Sequence, residues 1–205
     1  MTTPEEILQF WFGEPARDAN DVMDKLRRWF RGGAEIDADV RERFGAAVEA
    51  ALAGELDGWA LEARSRLALV LLLDQFTRNV YRGDPRTHAG DEKAQELALD
   101  AFDRGLDRTL SYVERVFLSM PLIHSEHLSR QRRVDEIVAQ MTPEAPPECG
   151  QMAAMHAEQT AKYTAIIARF GRFPHRNELL GRISTPEEEE FLKDWEQKGP
   201  PRGGP

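Results

Sequence analysis

The sequence predicts an all-α domain, and three observations carry that expectation. Apolar residues recur at three- and four-residue spacing through most of the chain. Helix-start grammar appears repeatedly, as in Thr3-Pro4-Glu5-Glu6 and in Ser111 with Glu114. No segment shows the strict apolar–polar alternation of a half-buried strand.

The first helix follows Thr3, buries Ile7, Leu8, Phe10 and Trp11, and ends at Gly13. A second, VMDKLRRWF at 22–30, is stopped by Gly32-Gly33. From Asp37 to Ala53 the apolar positions Val40, Phe44, Ala47, Val48, Ala51 and Leu52 mark a third, closed by Gly54 and Gly58. The fourth is expected as one element from about Leu61 to Arg82, with Gly83 as C-cap and Pro85 beyond. A fifth covers about 91–104 and stops at Gly105. The helix opened by Ser111 should kink or break at Pro121, whose ring removes an intrahelical hydrogen bond. The chain resumes through HSEHLSRQRRVDEIVAQM and reaches the proline-rich TPEAPPECG at 142–150, the expected proteolytic site. One helix over about 151–169 and another after Thr185-Pro186-Glu187-Glu188, ending near Trp195, complete a single domain over 1–197. KGPPRGGP at 198–205 reads as a disordered tail.

The 205 residues carry a net charge of −9, which argues against indiscriminate binding to nucleic acid or anionic membrane. The longest apolar run, LALVLLL at 67–73, falls far short of the roughly 20 residues of a membrane helix. Cys149 stands alone, so no intrachain disulfide forms, and the N-terminus lacks a secretory leader; a cytoplasmic protein is expected. No phosphate-binding glycine loop and no nucleophile elbow occurs, so no cofactor is expected.

Against that acidic background three stretches stand out. In RLALVLLLDQFTRNVYRG the leucines surround the helix, after which Asp74, Gln75, Arg78, Asn79 and Arg82 fall in one sector of about 140°. That sector is occupied upstream by Leu67, Ala68, Leu71 and Leu72. A core helix that turns polar on one side suits the wall of a cleft, and equally suits a helix emerging into water with Asp74–Arg78 as a surface pair. In MPLIHSEHLSRQ, His124, His127 and Gln131 can share a helix face; two imidazoles without a third ligand do not specify a metal, and none is expected. In RFGRFPHRNELLGR at 169–182 four arginines meet one glutamate, with Phe170 and Phe173 to anchor the loop and Gly171 and Pro174 to shape it.

These three stretches, with weaker agreement from ILQFWF at 7–12 to STPEEEEFL at 184–192, resemble the bacterial proteins grouped as domain of unknown function 924. The resemblance covers nearly the whole chain. It implies an all-helical fold with superhelical packing similar to tetratricopeptide-repeat proteins, and no activity. The chain departs from the family pattern at Tyr163, where a histidine is common.

Three functions follow from the residues. In the first, Asp74, Gln75, Arg78, Asn79, Arg82, Arg172, His175, Arg176 and Asn177 line a cleft for a small anionic ligand or an acidic peptide. In the second, His124 and Glu126 are the acid–base pair of a hydrolase or lyase acting on an anionic metabolite. In the third, the arginines pair with carboxylates of the chain and fasten the C-terminal loop to the fourth helix. Neither partner nor oligomeric state is legible.

Overall fold

The LALVLLL run lies at the centre of the molecule because it has no polar face to offer water. In the computed structural model, which describes residues 2–31 and 33–198, every residue from Leu67 to Phe76 is buried. The segment comprises α4 (Ala63–Leu71), a π-helical turn over Leu72–Phe76 and α5 (Thr77–Val80). Around it pack α1 (Pro4–Phe12), α3 (Gly33–Leu52), α6 (Asp91–Asp103) and α7 (Tyr112–Ile123). The second helix, α2 (Ala19–Arg31), docks against the 147–149 turn and α9 (Gly150–Phe170). Next to α7 in space comes α8 (Leu128–Met141), then α9, while α10 (Pro186–Lys198) covers the turn at Pro174–Arg176. Among the described residues the regular structure is helical and no strand forms.

Two aromatic clusters hold these layers together. Phe10, Trp11, Phe44 and Phe76 meet where α1, α3 and the π turn converge, with centroids 5.0–6.0 Å apart. Tyr163, Phe173 and Trp195 join α9, the arginine loop and α10.

The fourth helix is not the continuous element expected from Leu61 to Arg82. Residues 57–61 form a separate 3-10 turn, Leu61 is exposed, and the α geometry is interrupted over 72–76. The Thr77 N–H reaches back to Leu72 O, five residues away, and the Thr77 hydroxyl takes Leu73 O at 2.8 Å instead. The wider turn also admits Gly90, whose Cα packs so closely on Leu73 that an added Cβ would lie 2.2 Å from the carbonyl oxygen. Because the π turn takes up extra chain, the polar sector at 74–82 is rotated relative to Leu67 and Leu71, not a continuation of their face.

Pro121 does not break its helix: α7 continues to Ile123, held by burial of every residue from Val116 to Ile123. His124 and His127 do not share a face. His124 is the buried C-cap of α7, and His127 is the exposed residue before α8. Gln131 closes the corner between them by donating to Ile123 O and Ser125 O, both at 2.7 Å. The second and third helices begin earlier than expected, at Ala19 and Gly33. The proline-rich 142–150 segment is two short 3-10 turns with Cys149 buried. Helix α10 runs through Lys198; the rest of the expected tail lies outside the described residues. No helix among those described is long and apolar enough to cross a membrane.

Candidate functional site

Four segments converge on a cleft of about 200 Å³. The π turn and α5 bring Gln75, Arg78, Asn79 and Arg82, and the end of α7 brings His124. The turn before α6 brings His88, and the arginine loop brings His175 and Arg176. Rings from α1 and α2 (Trp11, Trp29, Phe30) close the apolar side.

Two aspartates, Asp74 buried and Asp91 half-buried, organise this wall. Asp74, 1% exposed, lies 2.7 Å from His124 Nδ1, accepts from Gln75 Nε2 at 2.6 Å and pairs with Arg78 Nη1 at 3.2 Å. Asp91, the first residue of α6, accepts from Arg78 Nη1 at 3.0 Å, lies 3.0 Å from His88 Nδ1 and is 3.7 Å from Arg176 Nη1. Burial raises both carboxyls, but the Arg78 charge outweighs it, helped by His124 at Asp74 and by His88 and Arg176 at Asp91. Both are held below the usual range and ionised.

An ionised carboxylate only accepts, so the proton of a neutral His124 sits on Nδ1 and leaves Nε2 with a bare lone pair. Burial keeps this ring neutral by lowering its pKa, against the opposing pull of Asp74. His124 Nε2 has no protein partner although it is buried at the cleft. The two inner arginines are likewise incompletely used. Arg78 spends Nη1 on Asp74 O, Asp74 and Asp91, and Arg176 is 6% exposed, with its guanidinium 4.6 Å over the Phe173 ring and the long pair to Asp91 as its ion pair. Nε and Nη2 of both guanidiniums, and the Trp11 indole N–H, are buried without a partner. Burial and the Arg78 charge pull Arg176 down to about 10, which leaves it protonated at neutral pH. His175 is pushed to about 3 by burial and by Arg176, and its neutral ring stacks on Trp195 at 4.8 Å.

The remaining residues singled out in the sequence are engaged elsewhere. Arg172 grips Glu188 with Nε and Nη2, both at 2.7 Å, and Asn177 donates to Ser184 and Glu188. Glu126 accepts from the Phe173 N–H at 2.7 Å and from both terminal nitrogens of Arg182 at 2.7 and 2.9 Å. The structure thus separates Glu126 from His124: one clasps the loop, the other faces the cleft. On the outer edge Arg82 and Asn79 share Asp37. Asp91 and His88 escaped the sequence reading, for which the only local signal was their i, i+3 spacing after a turn. Among the described residues no three His, Cys, Asp or Glu side chains gather to hold a metal ion.

No functionally curated protein matches this chain. Among solved structures it is similar to a protein of unknown function, ATU0120, from Agrobacterium tumefaciens. The two share 35% identity and a TM-score of 0.78, over 94% of this chain and 97% of that one. The family described as "Bacterial protein of unknown function (DUF924)" matches residues 7–196. With a buried cleft in place and nearly its whole length matched, the chain belongs to the DUF924 family.

Proposed function

We propose that the protein binds a small oxyanion in the cleft between the π turn and the arginine loop. The carrying observation is the pair of buried guanidiniums, Arg78 and Arg176, each with Nε and Nη2 unpartnered at one cavity. An unsatisfied buried donor costs about 1–3 kcal/mol, more when charged, and an oxyanion supplies the missing acceptors through charge-assisted hydrogen bonds. The volume of about 200 Å³ favours a small ion or metabolite over an acidic peptide.

Fastening of the arginine loop is a job for other residues, which supports a separate role for the inner pair. Arg172 on Glu188 and Arg182 on Glu126 tie the loop, and Arg82 on Asp37 ties α5 to α3. A second reading, acid–base catalysis, draws on Asp74–His124 and His88–Asp91, with Glu126 replaced as the carboxylate partner of His124. The repeat-like superhelical packing implied by the family is supported by α6, α7, α8 and α9 each packing on the next in chain order.

A thermal-shift series with inorganic phosphate, sulfate, acetate and succinate tests the binding reading on wild type beside Arg176→Met. An anion at about 100 times its Kd stabilises by about 2.7 kcal/mol, or about 5–10 °C for a chain of this size. The shift should vanish in the folded variant. An equal shift in wild type and variant would remove the cleft from the explanation.

A further inference from the structure

Resting on that reading, we infer that the bound oxyanion carries a hydroxyl of its own, and that its class is a phosphate group, free or as a small phosphomonoester. The cleft offers donors in the free edges of Arg78 and Arg176 with the Trp11 N–H, and acceptors in His124 Nε2 and in one nitrogen of the neutral His175 ring, both of whose nitrogens are also buried without a partner; of these, His124 Nε2 is the one whose role is fixed. Asp74 fixes that polarity: with Nδ1–H committed to its carboxylate at 2.7 Å, the neutral ring can only accept at Nε2.

An ion that merely accepts would set its lone pairs against that nitrogen. Sulfate is such an ion at neutral pH. Inorganic phosphate has the same tetrahedral shape but keeps at least one hydroxyl at neutral pH, and a phosphomonoester keeps one in its monoanion, the form favoured below its second pKa of about 6; that hydroxyl donates to Nε2 while the other oxygens accept from the guanidiniums. Two guanidinium edges plus an indole N–H also exceed what the two oxygens of a simple carboxylate can accept. Trp29, Phe30 and Leu179 on the same cavity give an esterified organic portion apolar surface to lie on.

Calorimetric titration of the full chain at neutral pH with inorganic phosphate, sulfate and glycerol phosphate tests this. Phosphate should bind at least tenfold more tightly than sulfate, equivalent to about 1.4 kcal/mol. Tighter binding of the ester than of free phosphate assigns the organic portion to the apolar wall; the reverse order assigns the site to the free ion. In His124→Asn the preference for phosphate over sulfate should shrink to less than about threefold, since the shorter amide leaves no acceptor at the Nε2 position while the arginines remain. Equal affinity for sulfate and phosphate in wild type overturns this inference and leaves the oxyanion reading standing. No binding of any of the three overturns both.

Nitrogen chemical shifts of His124 read the same question in unaltered protein, should the variant fail to fold. Nδ1 should be protonated and Nε2 bare, and phosphate, not sulfate, should move the Nε2 resonance. A ring protonated at Nε2 would refute the inference directly.

Discussion

Replacing Asp91 with Asn removes one of the two negative charges that balance Arg78 and Arg176. Its carboxylate and the Arg78 and Arg176 side chains are 13%, 11% and 6% exposed, so solvent screens little of the loss. Breaking a buried pair costs about 3–5 kcal/mol. The lower end applies because Arg78 keeps Asp74 and its carbonyl, the Arg176 pair is long, and an asparagine oxygen can still accept from His88. A loss of about 3 kcal/mol corresponds to a fall in Tm of about 6–12 °C. Two further readings make the argument specific. Phosphate should stabilise Asp91→Asn more than wild type, since the ion replaces the missing charge. The double variant Asp91→Asn/Arg176→Met should be at least about 1 kcal/mol more stable than the sum of the single losses, because the uncompensated cation is gone. Urea unfolding and calorimetry measure all three. A loss below about 1 kcal/mol, or strict additivity in the double variant, would refute the account of Asp91 as the counter-charge of the cleft.

Gly90→Ala places a methyl group 2.2 Å from Leu73 O, a contact with backbone that cannot swing aside. Urea unfolding should show a loss of about 3 kcal/mol or more, at the upper end of overpacking. Glu126→Gln should destabilise by about 1–2 kcal/mol, since Glu126 and Arg182 are only partly buried, and should open the 171–182 loop to limited proteolysis without altering phosphate affinity more than threefold. His156, buried against Ser119, has its pKa lowered to about 4 by burial. A depressed folded pKa means stability is intact above the unfolded value near 6.5 and falls as pH drops toward 4. By pH 5 this one group should cost about 2 kcal/mol. In His156→Phe that part of the slope between pH 6.5 and 5 should be absent from denaturation midpoints.

The helix starts were legible because their physics is local. Thr3 with Glu6, Ser111 with Glu114 and Thr185 with Glu188 each form a reciprocal capping box between residues three apart. The polar sector of 74–82 was legible for a similar reason, as a change of composition along one element. The division of labour among the arginines was not. Arg182 finds Glu126 across 56 residues and Arg172 finds Glu188 across 16, and spacing along the chain says nothing about either meeting. Asp91 was invisible because its role depends on Gly90 approaching the Leu73 carbonyl, a tertiary event. The corner at 124–127 was misread because a helix wheel assumes the helix continues, whereas α7 ends at Ile123.

The π turn at 72–76 acts as a phase adjuster on a buried shaft. A helix advances about 100° per residue, so a strictly α-helical path through the same amino acids would turn Gln75, Arg78 and Asn79 by nearly that angle relative to α4. The leucine-lined half would stay seated in the core, while the guanidinium now beside His124 would swing toward the packed interior. Angular phase within one helix therefore decides whether its charge meets a cavity or a wall of hydrocarbon. Deleting a single residue between Leu71 and Leu73 would, for this protein, let the turn revert to α geometry with the cleft's side chains at their present angle, because the π turn is what absorbs that residue.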